Sequence, residues 1–225
     1  MLPDKISDES VRIRLGNAEL DGLLSLPPRP AGVVLFVRPG GGRRSFEDRL
    51  LARRFHGAGL GTLLADLASP AEASEEDRRF NIPLLAERLS GLTGWLASRL
   101  EGTGLRIGYL GASAGAAAAI VASVALGDVV GAIVSRDGRP DLVPEALPRA
   151  RAPTLLIAGA GGDYYGSFLT LRAYHRLGAP KELAVVRGSG HLLEEPKAFE
   201  KVALLTTGWF LRFLVPGPAV PKGLL

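Results

Sequence analysis

Short apolar runs alternate with longer amphipathic stretches along most of the chain. The short runs are rich in Val, Ile and Leu with few polar interruptions, which is typical of strands buried on both faces of a sheet. The longer stretches repeat apolar residues at helical spacing. One example is the stretch 83–100, where five leucines share one helical face: Leu84, Leu85, Leu89, Leu92 and Leu96. This alternation predicts an α/β fold in which helices cover both faces of a mostly parallel, twisted sheet.

The first two apolar runs differ from the rest because only three residues separate them. Strands near 11–15 and 19–26 are joined by the sequence GNA, which predicts an antiparallel N-terminal hairpin. Prolines at 27, 28 and 30 then end the pairing. Further strands are predicted at 32–38, 62–67, 105–110, 129–135, 153–159 and 182–186. Helices are predicted at 46–56, 83–100, 114–126, 168–177 and 197–214.

The 225 residues suit one α/β domain spanning 1–225, with a core at about 11–214. The tail 215–225 contains three prolines and is expected to be loose. Residues 68–81 are polar and carry no period, so they form the longest predicted loop. They either fold over the site as a partial lid or form an ordinary surface loop. No insertion is long enough for a cap domain.

Composition excludes several classes of protein. The chain has no cysteine, which excludes disulfides, thiolate zinc sites and a cysteine nucleophile. The net charge is +4, but the arginines are scattered and aromatic residues are only 6%, which argues against a nucleic-acid binder. The N-terminus is polar and acidic, unlike a signal peptide. The most apolar stretch, 115–134, is interrupted by polar residues, so we expect no membrane span and a cytoplasmic protein.

The sequence GASAG at 111–115 matches the pattern G-x-S-x-G and lies between a predicted strand and a predicted helix. In a nucleophile elbow, serine occupies a strained strand-to-helix turn, and the flanking glycines avoid collisions with neighbouring backbone. The helix that follows favours developing negative charge at its N-terminus. Helix capping explains a serine here but not glycine on both sides. The alternative is a merely tight turn between strand and helix. We therefore expect Ser113 to be a catalytic nucleophile.

A serine hydroxyl needs a base and a group that orients the base. His56 and His175 end predicted helices, where they are ordinary C-terminal cations. His191 instead follows the last strand, at the sheet edge where catalytic groups of α/β proteins gather, and is the predicted base. Asp163, which follows the strand 153–159, is the favoured acid. The rivals are Asp137 and Asp141, for which ion pairs with Arg136 and Arg139 are the simpler interpretation.

The order Ser113, Asp163, His191 is that of α/β-hydrolases. From about residue 32 to 214 the chain resembles the small, lidless dienelactone-hydrolase-like branch of that superfamily. The segments that carry the resemblance are GYLGASAGAAAA, VSRDGRPDL, APTLLIAGAGGD, GSGHLLEEP and NIPLLAERL. The resemblance implies hydrolysis of acyl esters by a Ser–His–Asp triad, with no metal and no cofactor. It implies that Ser113 is the nucleophile, His191 the base and Asp163 its orienting acid.

An oxyanion hole requires two N–H donors, of which one is expected at Ala114 and the other after the strand 32–38. Relatives usually begin that second loop with His-Gly, whereas this chain has Arg38-Pro39. Proline has no N–H, so Gly40 is the predicted donor and Gly41 the reserve. The segment GAGGDYYG also departs from the family: it is one residue longer than usual and carries two tyrosines.

Several arginines are expected at the same edge of the sheet. Arg38 and Arg136 are candidates for binding an anionic substrate, because Arg recognises carboxylates in a bidentate manner. Solvated loop charges or local ion pairs are the alternative. Gly41 and Tyr164 complete the predicted substrate contacts.

The predicted function is hydrolysis of small carboxylic esters or lactones through an acyl-enzyme, with a small-molecule ester as substrate. The sequence is compatible with a homodimer. One alternative is a weakly active or inactive α/β-hydrolase homologue that binds or regulates. A less favoured alternative is a nucleotide-binding α/β protein, because the glycines at 108, 111 and 115 do not have the spacing G-x-G-x-x-G.

Overall fold

The computed structural model describes residues 5–40, 45–68, 72, 80–159, 164–186 and 195–215, with backbone alone at 164–167. The strands are β1 (Ser7–Leu15), β2 (Ala18–Leu26), β3 (Val33–Arg38), β4 (Gly61–Asp66), β5 (Ile107–Ser113), β6 (Val130–Gly138), β7 (Thr154–Gly159) and β8 (Lys181–Val186). The α-helices are α1 (Phe46–Gly57), α2 (Ile82–Arg99), α3 (Ala114–Leu126), α4 (Tyr164–Arg176) and α5 (Pro196–Leu214).

The eight strands form one sheet in the order β1-β2-β4-β3-β5-β6-β7-β8. β1 and β2 form the predicted antiparallel hairpin, whose turn begins at Gly16 with a φ of 57°. Positive φ is the conformation that two-residue hairpin turns require and that glycine adopts without strain. β2 also runs antiparallel to β4, and the other neighbouring strands are parallel. The α/β fold predicted from the sequence is confirmed.

Each face of the sheet carries its own apolar core. Helices α2, α3 and α4 cover one face, where the fully buried ring of Tyr109 lies. Helices α1 and α5 cover the other face, and Phe55 and Phe210 meet there edge to face with their ring centroids 5.7 Å apart. Burial of apolar side chains on both faces explains why the central strands have no alternation of polar and apolar residues.

Helix α3 packs unusually close to the sheet because its side chains are small. Ala116, Ala117, Ala118 and Ala119 are fully buried, and the last three belong to the apolar core that α2 covers. Alanine has the highest helix propensity and fills little volume, so a buried alanine helix can approach neighbouring backbone closely. This close approach fixes the start of α3 relative to β3 and β5.

The boundaries that differ most from the sequence prediction are the starts of β1 and α4. β1 begins at Ser7 rather than near residue 11, because backbone pairing with β2 continues through exposed polar residues that carry no apolar signal. α4 begins at Tyr164 rather than 168. Most of the predicted loop 68–81 and almost all of the tail 215–225 lie outside the described residues. In the part of the chain that the structure describes, no helix combines the length and the apolarity needed to cross a bilayer.

Candidate active site

Ser113 lies at the junction of β5 and α3 with a strained backbone. Its φ of 48° and ψ of −132° fall in a region that residues with a Cβ rarely adopt. Among the described residues its hydroxyl makes no hydrogen bond that caps α3. Helix capping therefore does not explain this serine. Strain of this kind persists only where the surrounding structure imposes it, and it is concentrated at functional sites.

The glycines on either side of Ser113 are required by close backbone contacts. A Cβ at Gly111 would lie 2.7 Å from the Cα of Ala116, and a Cβ at Gly115 would lie 2.3 Å from the carbonyl oxygen of Val37. Real Cβ atoms do not approach backbone atoms so closely, and these backbone atoms belong to packed elements. In a nucleophile elbow the flanking glycines are needed to avoid collisions with neighbouring backbone, and these contacts agree with that expectation for G-x-S-x-G.

The neighbouring strand β6 bends around the serine. Ala112 pairs with Arg136 and Ser113 with Gly138, so Asp137 is an extra residue in a β-bulge, with a φ of 47°. The carbonyl oxygen of Ser113 accepts a hydrogen bond of 2.9 Å from the amide of Arg139. The bulge therefore supports the elbow from the side opposite to β3.

Both predicted oxyanion donors lie at the same edge of the sheet as Ser113. Ala114 begins α3, where the first amides of a helix have no intrahelical partner. Gly40 follows β3, the strand beside β5, with a φ of 109° that only glycine adopts readily. A Cβ at this position would also lie 2.7 Å from the Cβ of Ala68. Gly41 lies outside the described residues.

The predicted acid and base, Asp163 and His191, also lie outside the described residues, as does the side chain of Tyr164. Their strands are described: β7 ends at Gly159 and β8 ends at Val186. Both strands run parallel to β5, so their carboxyl ends lie at the edge that carries Ser113. The roles of Asp163 and His191 stay predictions.

Arg38 and Arg136, the predicted substrate contacts, are bound to two carboxylates that the sequence analysis did not identify. Arg38 Nη1 lies 2.8 Å from Asp48 Oδ2, and Arg38 Nε lies 3.0 Å from Asp66 Oδ1. Arg136 Nη2 lies 3.4 Å from Asp48 Oδ1. An acidic residue in the first turn of a helix is common, so Asp48 gave no separate signal. Substrate contact by the two arginines stays a prediction.

The ion-pair interpretation of Asp141 is correct, because Arg139 donates two hydrogen bonds of 2.9 Å to its carboxylate.

His56 differs from expectation. Its Nε2 lies 2.8 Å from the hydroxyl of buried Thr62, and burial lowers the pKa of the imidazole. His56 is therefore not the ordinary helix-terminal cation that its position predicted, because burial disfavours the charged form. His175 is exposed at the end of α4.

A sheet of this order, with a strained serine after its fifth strand and helices on both faces, defines an α/β hydrolase. No protein-family model matches the chain. The crystal structure of the dienelactone hydrolase from Anabaena variabilis is 40% identical, with a TM-score of 0.87, and the match covers 93% of this chain and 99% of that one. The chain belongs to the dienelactone hydrolase family. Est1E from Butyrivibrio proteoclasticus shares the fold, with a TM-score of 0.76 at 12% identity over 90% of this chain and 98% of that one.

Two curated relatives carry a different name. Proteins from two strains of Mycobacterium tuberculosis, each named "Putative phosphoribosyl transferase", are 43% identical over 216 residues. The match covers 95% of this chain but 48% of theirs, so the chain spans about half the length of these relatives.

Proposed function

We propose that the protein is a serine hydrolase that cleaves small carboxylic esters or lactones through an acyl-enzyme on Ser113. The observation that carries the proposal is the backbone of Ser113, held at a φ of 48° between two glycines that tolerate no side chain. Such strain has no structural benefit for a serine that merely caps a helix. The strain supports a catalytic role, because a serine at such a turn presents its hydroxyl above the sheet edge, where a substrate can reach it.

The proposed reaction begins when His191 takes the proton of Ser113 as the Oγ attacks the ester carbonyl. The amides of Ala114 and Gly40 donate hydrogen bonds to the oxyanion of the tetrahedral intermediate. His191 then gives the proton to the leaving alkoxide, which leaves the acyl-enzyme. In the second half of the reaction His191 takes a proton from water, the water attacks the acyl-enzyme, and His191 returns the proton to Ser113 as the acid is released. Asp163 orients the imidazole and stabilises its charged form.

A second candidate is a binding protein that retains the fold with little or no catalysis. The specific observation is Pro39, which removes one N–H from the loop that supplies an oxyanion donor. Loss of one donor costs about 10²–10³ in kcat in other serine hydrolases, so a slow esterase is compatible with this change. Gly40 compensates in the proposed mechanism.

Phosphoribosyl transfer is the activity named for relatives about twice as long as this chain. The shared half aligns with a dienelactone hydrolase over nearly its whole length, which favours hydrolysis for this part. Transfer of the phosphoribosyl group from phosphoribosyl diphosphate to a nucleobase acceptor, with release of pyrophosphate, by both wild type and Ser113→Ala would contradict our assignment.

The proposal is tested by labelling the protein with a fluorophosphonate and by assaying esters of graded acyl length. We expect wild type to be labelled and to hydrolyse short esters, and Ser113→Ala to do neither. Ser98→Ala is the matched control, because Ser98 is an exposed serine in α2 whose hydroxyl donates a hydrogen bond to the carbonyl of Gly94. Labelling of Ser113→Ala at the wild-type rate would exclude Ser113 as the nucleophile.

A further inference from the structure

The two arginines that flank the nucleophile strand meet on one carboxylate. In the sheet order, β3 and β6 lie on either side of β5. Arg38 ends β3, Arg136 lies near the end of β6, and both bind Asp48 of helix α1. Each Asp48 oxygen binds a different arginine, so the carboxylate connects two strands that are not neighbours. We call these three residues the Asp48 bridge.

The register places the bridge directly over the residue before the nucleophile. Ala112 pairs with Arg136, and Arg38 lies one residue beyond the pair of Val37 with Gly111. Residues at one level of neighbouring parallel strands point to the same face, so Ala112 lies between the two arginines on the α1 side. Its methyl group leaves room for the guanidinium groups to converge. The bridge therefore spans β5 one residue before Ser113.

The bridge is mostly withdrawn from water. The side chains of Arg38, Asp48 and Arg136 are 15%, 10% and 12% exposed, respectively. Charges this far from solvent are little screened, so the geometry of the bridge is held firmly. Arg38 also forms an ion pair with Asp66, its register partner on β4. The surrounding chain is anchored as well, since the Arg38 carbonyl accepts a hydrogen bond from the amide of Leu67.

We propose that the Asp48 bridge is a positioning device for the active site: it fixes the carboxyl ends of β3 and β6 on either side of Ser113. β3 leads within two residues to Gly40, the proposed oxyanion donor, and β6 leads to the bulge whose Arg139 amide binds the carbonyl of Ser113. The bridge thereby sets the distance between nucleophile and oxyanion donor. The inference rests on the proposed hydrolase function.

A buried ion pair contributes little net stability compared with apolar side chains of similar size. Replacing such a pair by apolar side chains can therefore change the positions of the strand ends without lowering the stability of the fold. In the double variant Asp48→Leu with Arg136→Met, a carboxylate and a guanidinium are removed together while the pair of Arg38 with Asp66 is kept. We expect its melting temperature to equal or exceed that of wild type. We expect kcat for a neutral short ester to fall about 10- to 100-fold with little change in KM, because small misplacements of reacting groups have effects of that size.

The single variant Arg136→Met breaks the bridge but keeps the pair of Arg38 with Asp48, so it provides a second test if the double variant fails to fold. We expect the same loss of kcat and an equal loss in the rate of fluorophosphonate labelling. Glu200→Gln is the matched control: it breaks the exposed pair of Arg54 with Glu200, which also ties α1 to a neighbouring helix. It should leave kcat, KM and the labelling rate unchanged.

Comparison of a neutral ester with one that carries a carboxylate distinguishes the bridge from a substrate clamp. A clamp predicts that loss of Arg136 raises KM for the carboxylate ester alone, whereas the bridge predicts equal losses of kcat for both. Folded variants with wild-type kcat would overturn the proposal. So would variants whose only defect is a raised KM for the charged ester. Wild type that is neither labelled nor active would overturn the hydrolase function together with this inference.

Discussion

The phenol of Tyr109 donates a hydrogen bond to the hydroxyl of Thr93, with the two oxygens 2.5 Å apart. The direction is set by Thr93, whose own proton goes to the carbonyl of Leu89 at 2.7 Å. The bond joins α2 to β5, the strand that leads to Ser113, inside the apolar core. Burial raises the pKa of the phenol, so Tyr109 is neutral throughout the physiological range.

The two ends of this hydrogen bond should not be equivalent. Thr93→Val leaves the buried phenol of Tyr109 without its acceptor among the described residues, which costs about 1–3 kcal/mol. Tyr109→Phe leaves the threonine proton on Leu89 and should cost about 1 kcal/mol. Urea unfolding of both variants and of the double variant measures the difference. A Tyr109→Phe variant that is less stable than Thr93→Val would contradict the assigned direction.

Backbone strain at Ser113 should be visible in two variants that both remove the hydroxyl. Ser113→Ala keeps a Cβ in an unfavourable region, whereas Ser113→Gly relieves the strain. We expect the glycine variant to be more stable than the alanine variant by about 1 kcal/mol, although glycine normally destabilises. Thermal unfolding measures this, and neither variant should hydrolyse esters. A more stable alanine variant would show that the turn is not strained.

The contact between Gly115 and Val37 predicts a substitution that harms both fold and activity. Gly115→Ala drives a methyl group into the carbonyl of Val37, which should cost roughly 1–3 kcal/mol and displace Ser113 from β3. Gly94→Ala is the control, since Gly94 is exposed within α2 and a Cβ there meets nothing within 4 Å. That variant should gain roughly 1 kcal/mol from helix propensity with unchanged activity. Equal effects of the two substitutions would contradict the close packing of α3.

His56 should make folding stability depend on pH below neutrality. Burial lowers its pKa below the ordinary value of 6.5, so the unfolded chain binds its proton more readily than the native protein. Stability from this group is therefore present above pH 6.5 and is lost as the pH falls toward the lower, native pKa. We expect the drop in melting temperature between pH 7.5 and 5.5 to be smaller in His56→Gln than in wild type. An equal or larger drop in the variant would contradict the effect.

Local patterns were sufficient to predict most elements and the elbow. The sequence predicts helix α3 at 114–126, and it is found at Ala114–Leu126, because a long alanine-rich run has a high helix propensity. The β1–β2 hairpin was predicted from two runs and a three-residue connection. In both cases the decisive interactions join residues that are close in sequence.

Charge partners could not be predicted in the same way. Arg38 and Arg136 were recognised as residues of the sheet edge, but Asp48 and Asp66 were not assigned to them. Asp48 is 88 residues from Arg136 along the chain. Their pairing depends on β3 and β6 flanking β5 and on α1 covering that face, which is a property of strand order.

The sequence by itself determined the class of fold, the order of strands and helices, and the serine between its two glycines. These depend on hydrophobic periodicity and on backbone sterics, which act over a few residues. The tertiary structure decided the strain at Ser113, the bulge at Asp137 and the carboxylate that joins two arginines across β5. All three features depend on which strands become neighbours. A buried charged side chain pairs with the opposite charge that the packing places beside it.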